Sequence, residues 1–426
     1  MSIAEAPRPP EVKKLEEYNS FDPDLIECPF HYWKQLREEA PVFQDPTTGM
    51  FLVSNYKLVC DVVRNAKLFS NKFGGALRNE ESPLQKEIND IAAEGYPGVD
   101  TMLTADPPEH TRYRKLVNKA FSPKRVAEMD ADIERIVNEI IDTFIDKGEV
   151  EFLSEFGQLL PLIVIAEQLG VPVEDRKKFR KWSDSFIAQL GLMADPERQR
   201  EAMRDIVEFQ HYFAAILEEK KKNPTDDIIS DLAHVTLEDE GDPRGLDTPE
   251  ALSIIQQLLV AGNETTAKAM TEAMYLLISH PDQMQAVQND FDLIPNMLEE
   301  TLRMLTPTNN MYRVATEDTE LGGVKIPKGS MLMVKYGAAN RDTDQFAEGE
   351  EFDVRRDNAR NHLAFGMGVH TCLGNSLARQ EMKYAFRALL TRMKNWRFVD
   401  GKNDFRHSPN FLLRGMEKLH LAFDKA

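Results

Sequence analysis

The chain has 426 residues, 42% apolar and 29% charged, which is enough to bury a large core; 22 glycines and 23 prolines are too few for a collagen-like or low-complexity chain. A formal net charge of −19 excludes a general nucleic-acid binder, which needs a basic footprint. Cys28, Cys60 and Cys372 are too far apart for a CxxC motif, and an odd, sparse set fits a reducing compartment better than a disulfide framework.

The opening stretch MSIAEAPRPPEVKKLEE has no apolar signal core, and residues 1–20 are expected to form a flexible arm. The longest fully apolar run, Leu159 to Ala166, contains Pro161 and falls well short of the roughly 20 residues a spanning helix needs. A cytoplasmic protein without a membrane anchor is therefore expected. No Gly/Ser/Pro-rich linker and no fixed repeat divides residues 21–426, which are read as a single domain.

Helical periodicity covers 30–40, 56–65, 109–121, 124–147, 158–169, 173–188 and 197–222, with a short strand at 50–55 and a short helix near 226–236. A long helix is expected over 249–279, with Thr248 as N-cap, Pro249 at the first position and a stop at His280-Pro281. It would span about 46 Å. Its first half, ALSIIQQLLVAG, is apolar nearly all round and should run through the core. Further helices are expected over 293–305 and 373–392, antiparallel strands over 312–337, irregular chain over 338–371 and a last strand ending HLAF. The fold class is mainly α with small antiparallel β-sheets.

Four segments carry chemistry. In His362-Leu-Ala-Phe365-Gly-Met-Gly-Val-His370-Thr-Cys372-Leu-Gly374, glycines flank a lone cysteine just before a helix start. Backbone N–H groups and a helix N-terminus lower a thiol's pKa, and glycines let the backbone approach a flat ligand. Glu300-Thr-Leu-Arg303 places opposite charges at i, i+3 on one helix face. Ala261-Gly-Asn-Glu264-Thr265-Thr266 puts a glycine and back-bonding threonines into the long helix, where it could open locally. Asp106-Pro-Pro-Glu-His110-Thr-Arg-Tyr-Arg114 places His110 and Arg114 on one face. Residues 111–125 also hold six cations and no acid, a reversal within an acidic chain.

The 362–374 segment resembles the haem-thiolate loop of the bacterial, soluble cytochrome P450 monooxygenases, and the other segments match that family in order. Ile326-Pro-Lys-Gly329 and Ala339-Asn-Arg-Asp342 match it as well. The resemblance implies the cytochrome P450 fold with one haem b between the long central helix and the Cys-loop helix. It implies Cys372 as the iron ligand, Phe365 shielding the sulfur and Gly374 completing the loop. His362, His370, His110, Arg114 and Arg313 would meet the haem propionates. Glu300, Arg303 and Arg356 would form a buried structural support. Thr265 would hydrogen-bond the activated oxygen and Glu264 would relay protons. The peroxide-driven members of the fold would be expected to lack that acid–alcohol pair. Leu258, Val260, Ala261, Met311 and Leu412 would line a pocket for a hydrophobic substrate such as a terpenoid, steroid, fatty acid or aromatic. The implied reaction inserts one oxygen atom of O2, with electrons from NAD(P)H through a ferredoxin reductase and an acidic ferredoxin. The ferredoxin would dock on the basic 111–125 helix through its freely exposed cations, Arg112, Lys115, Lys119, Lys124 and Arg125.

Overall fold

A computed structural model describes residues 13–74, 82–118, 120–190, 194–237 and 244–426. The helices are α1 (Pro23–Glu27), α2 (Phe30–Glu39), α3 (Tyr56–Arg64), α4 (Pro83–Ala92), α5 (Glu109–Asn118), α6 (Pro123–Glu128), α7 (Asp130–Asp142) and α8 (Leu159–Gln168). They continue with α9 (Arg176–Leu190), α10 (Pro196–Lys222), α11 (Ile228–His234), α12 (Thr248–Ser279), α13 (Pro281–Asn289), α14 (Ile294–Leu305), α15 (Tyr336–Ala339) and α16 (Asn375–Arg392). The first strands are β1 (Val42–Gln44), β2 (Phe51–Val53), β3 (Phe69–Ser70), β4 (Glu149–Glu151), β5 (Thr236–Leu237) and β6 (Arg244–Gly245). The remaining strands are β7 (Asn310–Ala315), β8 (Thr319–Leu321), β9 (Val324–Ile326), β10 (Met331–Lys335), β11 (Met393–Phe398) and β12 (His420–Lys425).

Helix α12 organises the core. Its cap is Asp247 rather than Thr248, because Asp247 and Glu250 form a reciprocal capping box: Glu250 N donates to Asp247 Oδ1 (2.8 Å) and Asp247 N donates to Glu250 Oε2 (2.9 Å). Two orphan donors are thereby satisfied at once, which a threonine alone would not do. Ala251, Leu252, Ile254, Ile255, Leu258 and Leu259 are buried on successive faces, so the helix threads the core and packs on α8, α9, α14 and α16. The largest apolar cluster runs from Met102 to Phe423 around it.

A five-stranded sheet, ordered β1-β2-β10-β7-β3, lies beside this core and packs on α3. Its β2–β10 pair is parallel, so the sheet is mixed rather than purely antiparallel as expected. A three-stranded sheet, β11-β12-β4, and the pairs β5-β6 and β8-β9 are antiparallel.

Three further expectations change. Residues 13–20 are no arm: Leu15 and Tyr18 are buried in a cluster with Trp33, Tyr312 and Phe411, because their apolar surface finds partners there. The stretch 124–147 divides at Met129 into α6 and α7, followed by a short 3-10 turn at Ile145–Lys147. Helices α1 and α4 carry no periodic signal strong enough to be read, and both start at a proline in the favoured first turn.

Candidate active site

The cysteine loop closes on itself before α16. Cys372 N donates to Phe365 O (2.8 Å), Thr371 N to Gly368 O (3.1 Å) and Gly366 N to Leu363 O (2.9 Å). Gly368 needs to be glycine: its φ is 75°, and a Cβ there would lie 2.8 Å from Val63 O on α3. Phe365 lies under the Arg379 guanidinium, 4.5 Å from ring centroid to Cζ. The Cys372 thiol departs from the sequence expectation. Burial pushes its pKa up, and the Gly374 N–H, Arg114 and Arg379 pull it down without overcoming that effect. The loop therefore favours thiolate locally inside surroundings that penalise charge.

Glu300 and Arg303 on α14 are fully buried and bidentate, Nε to Oε2 at 2.7 Å and Nη2 to Oε1 at 2.8 Å. Arg356 Nε donates to Glu300 Oε1 (3.0 Å), as the family resemblance implied, and Asp353 N donates to the same oxygen (3.1 Å). Arg303 also donates to Asn340 O, Gly349 O and Glu351 O. The Asn340 side chain accepts from Leu363 N (2.7 Å), so this network reaches the start of the cysteine loop.

His362 is not a propionate partner. Its Nε2 meets Glu299 Oε2 at 3.0 Å and its Nδ1 accepts from Ala364 N (3.1 Å), so both ring nitrogens are taken by protein. Glu299 also accepts from Arg379 Nε (2.6 Å) and Nη2 (2.9 Å). Burial pushes Glu299 up, but the bonds from His362 and Arg379 prevail and hold it at about 2. Glu299 and Arg379 were missed by sequence reasoning. Their partners are distant in the chain, and neither stands in a motif; the signal at hand was only Glu299's place beside Glu300.

His110 and His370 do come together, with ring centroids 4.1 Å apart. Both nitrogens of His110 and Nε2 of His370 are buried without a hydrogen-bond partner. Burial, then His110 and Arg313, push His370 down to about 3; burial, then Arg114, lower His110. Arg114 Nη2 donates to Thr371 O (2.5 Å), and buried Arg313 donates to Tyr312 O (2.6 Å). Asp106, the carboxylate that acts on His110, already accepts from Ser70 Oγ and Asn71 N. Orphaned buried ring nitrogens call for a polar ligand, and the two guanidiniums beside them favour an anionic one. The propionate rim of a haem held at Cys372 fits them.

On α12, Ala261 and Gly262 are exposed in the middle of a core helix, and a Cβ at Gly262 would meet nothing within 4 Å. Open space at that point fits a flat group and a substrate beside it. Thr265 Oγ1 donates to Ala261 O (2.7 Å), yet the helix stays α through this turn and does not open. Glu264 pairs with buried Lys268 at 3.2 Å, a partner not read from the sequence. The pocket residues fall into two groups. Leu258 and Val260 belong to the main core, and Leu412 and Met311 to the cluster with Tyr312 and Phe411. Ala261 alone of the five is exposed.

The basic stretch is also revised. Arg112 turns inward, with Nη2 2.9 Å from Tyr113 Oη and 3.5 Å from Glu250, because Glu250 at the start of α12 draws it. Arg125 is exposed but paired with Glu128 and Asp226. Lys115 and Lys124 stand exposed, and Lys119 lies outside the described residues. Val369, next to His370, is exposed as well.

The family model for cytochrome P450 matches residues 177–414. The chain is 35% identical to the 6-deoxyerythronolide B hydroxylase of Saccharopolyspora erythraea, over 94% of this chain and 99% of that one. It is 32% identical to the steroid C26-monooxygenase of Mycobacterium tuberculosis, over 92% of each. A crystal structure of P450BioI in complex with hexadec-9Z-enoic acid ligated acyl carrier protein superposes with a TM-score of 0.84 at 29% identity, covering 94% of this chain and 99% of that one. Among the described residues no helix is long and apolar enough to cross a membrane.

Proposed function

Because the chain belongs to the cytochrome P450 family of haem-thiolate monooxygenases, we propose that it hydroxylates a hydrophobic small molecule with electrons from an acidic ferredoxin, in the cytoplasm. Bound haem b supplies the reductive activation of O2. Cys372 would hold its iron, and His110, Arg114, Arg313 and His370 its propionates. The observation that carries this reading is the His110–His370 pair, three of whose ring nitrogens are buried without a partner, beside the half-buried Arg114 and the buried Arg313 at the cysteine loop.

The chain's other residues have distinct tasks. The Glu300–Arg303–Arg356 network and the Glu299–His362–Arg379 group fix the backbone that presents Cys372. Thr265 would turn its hydroxyl from Ala261 O toward the oxygen site, and Glu264 would hand it a proton after leaving Lys268. Ala261, Val260 and Met311 would meet the substrate. That the relatives include a 6-deoxyerythronolide B hydroxylase and a steroid C26-monooxygenase supports a hydrophobic substrate. Lys115 and Lys124, both exposed, would suit the acidic surface of such a partner. The test is turnover under 18O2 with NADPH, ferredoxin reductase and ferredoxin, against steroids, terpenoids and fatty acids. One labelled atom in the product and one in water is expected. Product without label from O2 would overturn the assignment.

A further inference from the structure

Along α12, Glu264, Lys268 and Glu272 stand four residues apart, so they share one stripe of the helix. Lys268 is 2% exposed, and its ammonium pairs with Glu264 at 3.2 Å. Glu272 is taken from the other side: its Oε1 accepts from Met416 N (3.1 Å) and lies 3.1 Å from His407 Nε2. A helical side chain also leans towards the N-terminal turn, which favours Glu264 over Glu272 as the partner of Lys268. Burial, then the Glu264 charge, push Asp184 on α9 up to about 6, so these two carboxylates oppose each other where α9 packs on α12. Lys268 supplies the opposite charge that offsets this repulsion.

The lysine stem lies on a glycine near the C-terminus. A Cβ on Gly415 would sit 2.4 Å from Lys268 Cγ, 2.5 Å from its Cδ and 2.7 Å from its Cβ. The φ of Gly415 is not in the left-handed region, so the backbone there does not call for glycine; the lysine stem is what excludes a side chain. Gly415 belongs to a hairpin, 406–417, that is itself fixed. Ser408 N donates to Gly415 O (3.1 Å) and Glu417 N to Arg406 O (2.9 Å), on either side of the His407–Met416 bridge. His407 N donates to Glu27 Oε2 (2.9 Å), Arg414 Nη2 to Glu27 O (2.9 Å) and Arg414 N to Pro307 O (2.9 Å). Gly415 is therefore a wall of the slot that holds Lys268, not a joint.

We propose that Lys268 is a positioning residue for Glu264 and that Gly415 keeps the room in which Lys268 lies, so that the C-terminal hairpin, and not α12 alone, sets where the relay acid waits. The reading rests on the relay role proposed above for Glu264 and Thr265. A buried ammonium must stay paired, so a stem fixed at Gly415 fixes the carboxylate that pairs with it. A Glu264 carboxyl without that partner samples positions away from Thr265, and fewer turnovers find it in place. The competing arrangement is a lysine that only neutralises charge, with Glu264 placed by its own helix.

Three measurements on the haem-loaded protein separate these. In a crystal structure of Gly415→Ala the pair seen at 3.2 Å should be broken. In urea unfolding, Gly415→Ala should raise the unfolding constant about tenfold in the parent, and by no more than about threefold in Lys268→Ala, which lacks Cγ and Cδ. The third is the share of NADPH electrons that ends in water rather than peroxide, with ferredoxin reductase and ferredoxin and no added substrate. O2 takes two electrons and two protons to peroxide and four of each to two waters, and the water route depends on protons delivered within the site. Lys268→Met and Gly415→Ala should each lower the water share about threefold, and neither should lower it further in a Glu264→Gln background. An intact pair in Gly415→Ala, or equal effects in the two unfolding backgrounds, would overturn the seat. A parental water share in Lys268→Met, or a further loss in the Glu264→Gln background, would overturn the positioning role. If the structure and the unfolding behave as stated but the parent takes up no oxygen with NADPH, the seat stands and the proposed chemistry fails.

Discussion

Glu299→Gln tests the ionic support beside the cysteine loop. Glu299 is buried, and His362 and Arg379 hold it at about 2 against an ordinary value of 4.5. At about 1.4 kcal/mol per tenfold change in proton affinity, its ionisation favours the folded state by roughly 3 kcal/mol. The folded value is depressed, so this gain is complete above about pH 4.5 and is lost as the pH falls towards 2. His362 acts in the same sense: burial keeps it below its ordinary value, and acid forces a proton onto a ring the fold prefers neutral. Urea unfolding of parent and variant should therefore differ by roughly 3 kcal/mol at pH 7, and the gap should narrow as the pH drops towards 3. Glu250, held at about 2 by Arg244 and Tyr113 against its burial, remains in both proteins and cancels from the difference. A gap that is constant with pH, or absent at pH 7, would refute the account.

The remaining expectations concern the site itself. Glu300→Ala leaves Arg303 buried and unpaired at a cost of about 3–5 kcal/mol, so haem-poor or insoluble protein is expected; a stable, haem-replete variant of low activity would point to a chemical role. Cys372→Ser should abolish the red-shifted Soret band of the ferrous carbonyl complex, and its retention would remove Cys372 as the ligand. Thr265→Ala and Glu264→Gln should bind haem normally while more of the NADPH oxidised appears as peroxide; parental yield per NADPH in both would end the relay reading. Reversing Lys115 and Lys124 to Glu should slow reduction by ferredoxin at low salt and matter less at 1 M, where the Debye length is about 3 Å. An unchanged rate at low salt would make them an ordinary solvated face.

What the sequence made legible was local. The long helix, the glycine-flanked cysteine and the Glu300–Arg303 pair lie within a few residues of their own determinants, and each was found where periodicity or spacing placed it. What it hid was carried by contacts between distant segments. His362 looked like a propionate partner until Glu299, from α14, took its Nε2. Arg112 counted as a surface cation until Glu250 drew it inward. The hydrogen bond from Tyr96 N to Gln210 joins residues more than a hundred positions apart, and no pattern marks either one. Thr248 lost the cap to its neighbour Asp247 because Asp247 alone could complete the box with Glu250. A charge or an amide reads as a solvated side chain until the fold supplies what it faces.

The same contacts suit the proposed site to its cofactor's charge pattern. The chain is strongly acidic, yet around Cys372 it gathers Arg114, Arg313 and Arg379, with two histidines of which three ring nitrogens are buried without a partner. Arg379 is matched by Glu299, whereas Arg114 donates to Thr371 O and Asn118 Oδ1 and Arg313 to Tyr312 O. A buried or half-buried cation resting on neutral acceptors leaves a local excess of positive potential. Burial meanwhile disfavours a negative sulfur, although the Gly374 N–H and the arginines are aimed to favour it. The sulfur needs a positive partner, the guanidiniums need negative ones, and the histidines need hydrogen-bond partners. A ligand that is cationic at its centre and anionic on its rim satisfies both, whereas a simple anion or a bare metal ion would satisfy only one. Loss of either set should therefore weaken haem retention through a different half of the cofactor: Cys372→Ser at the iron, and His110→Ala with Arg114→Ala at the propionates.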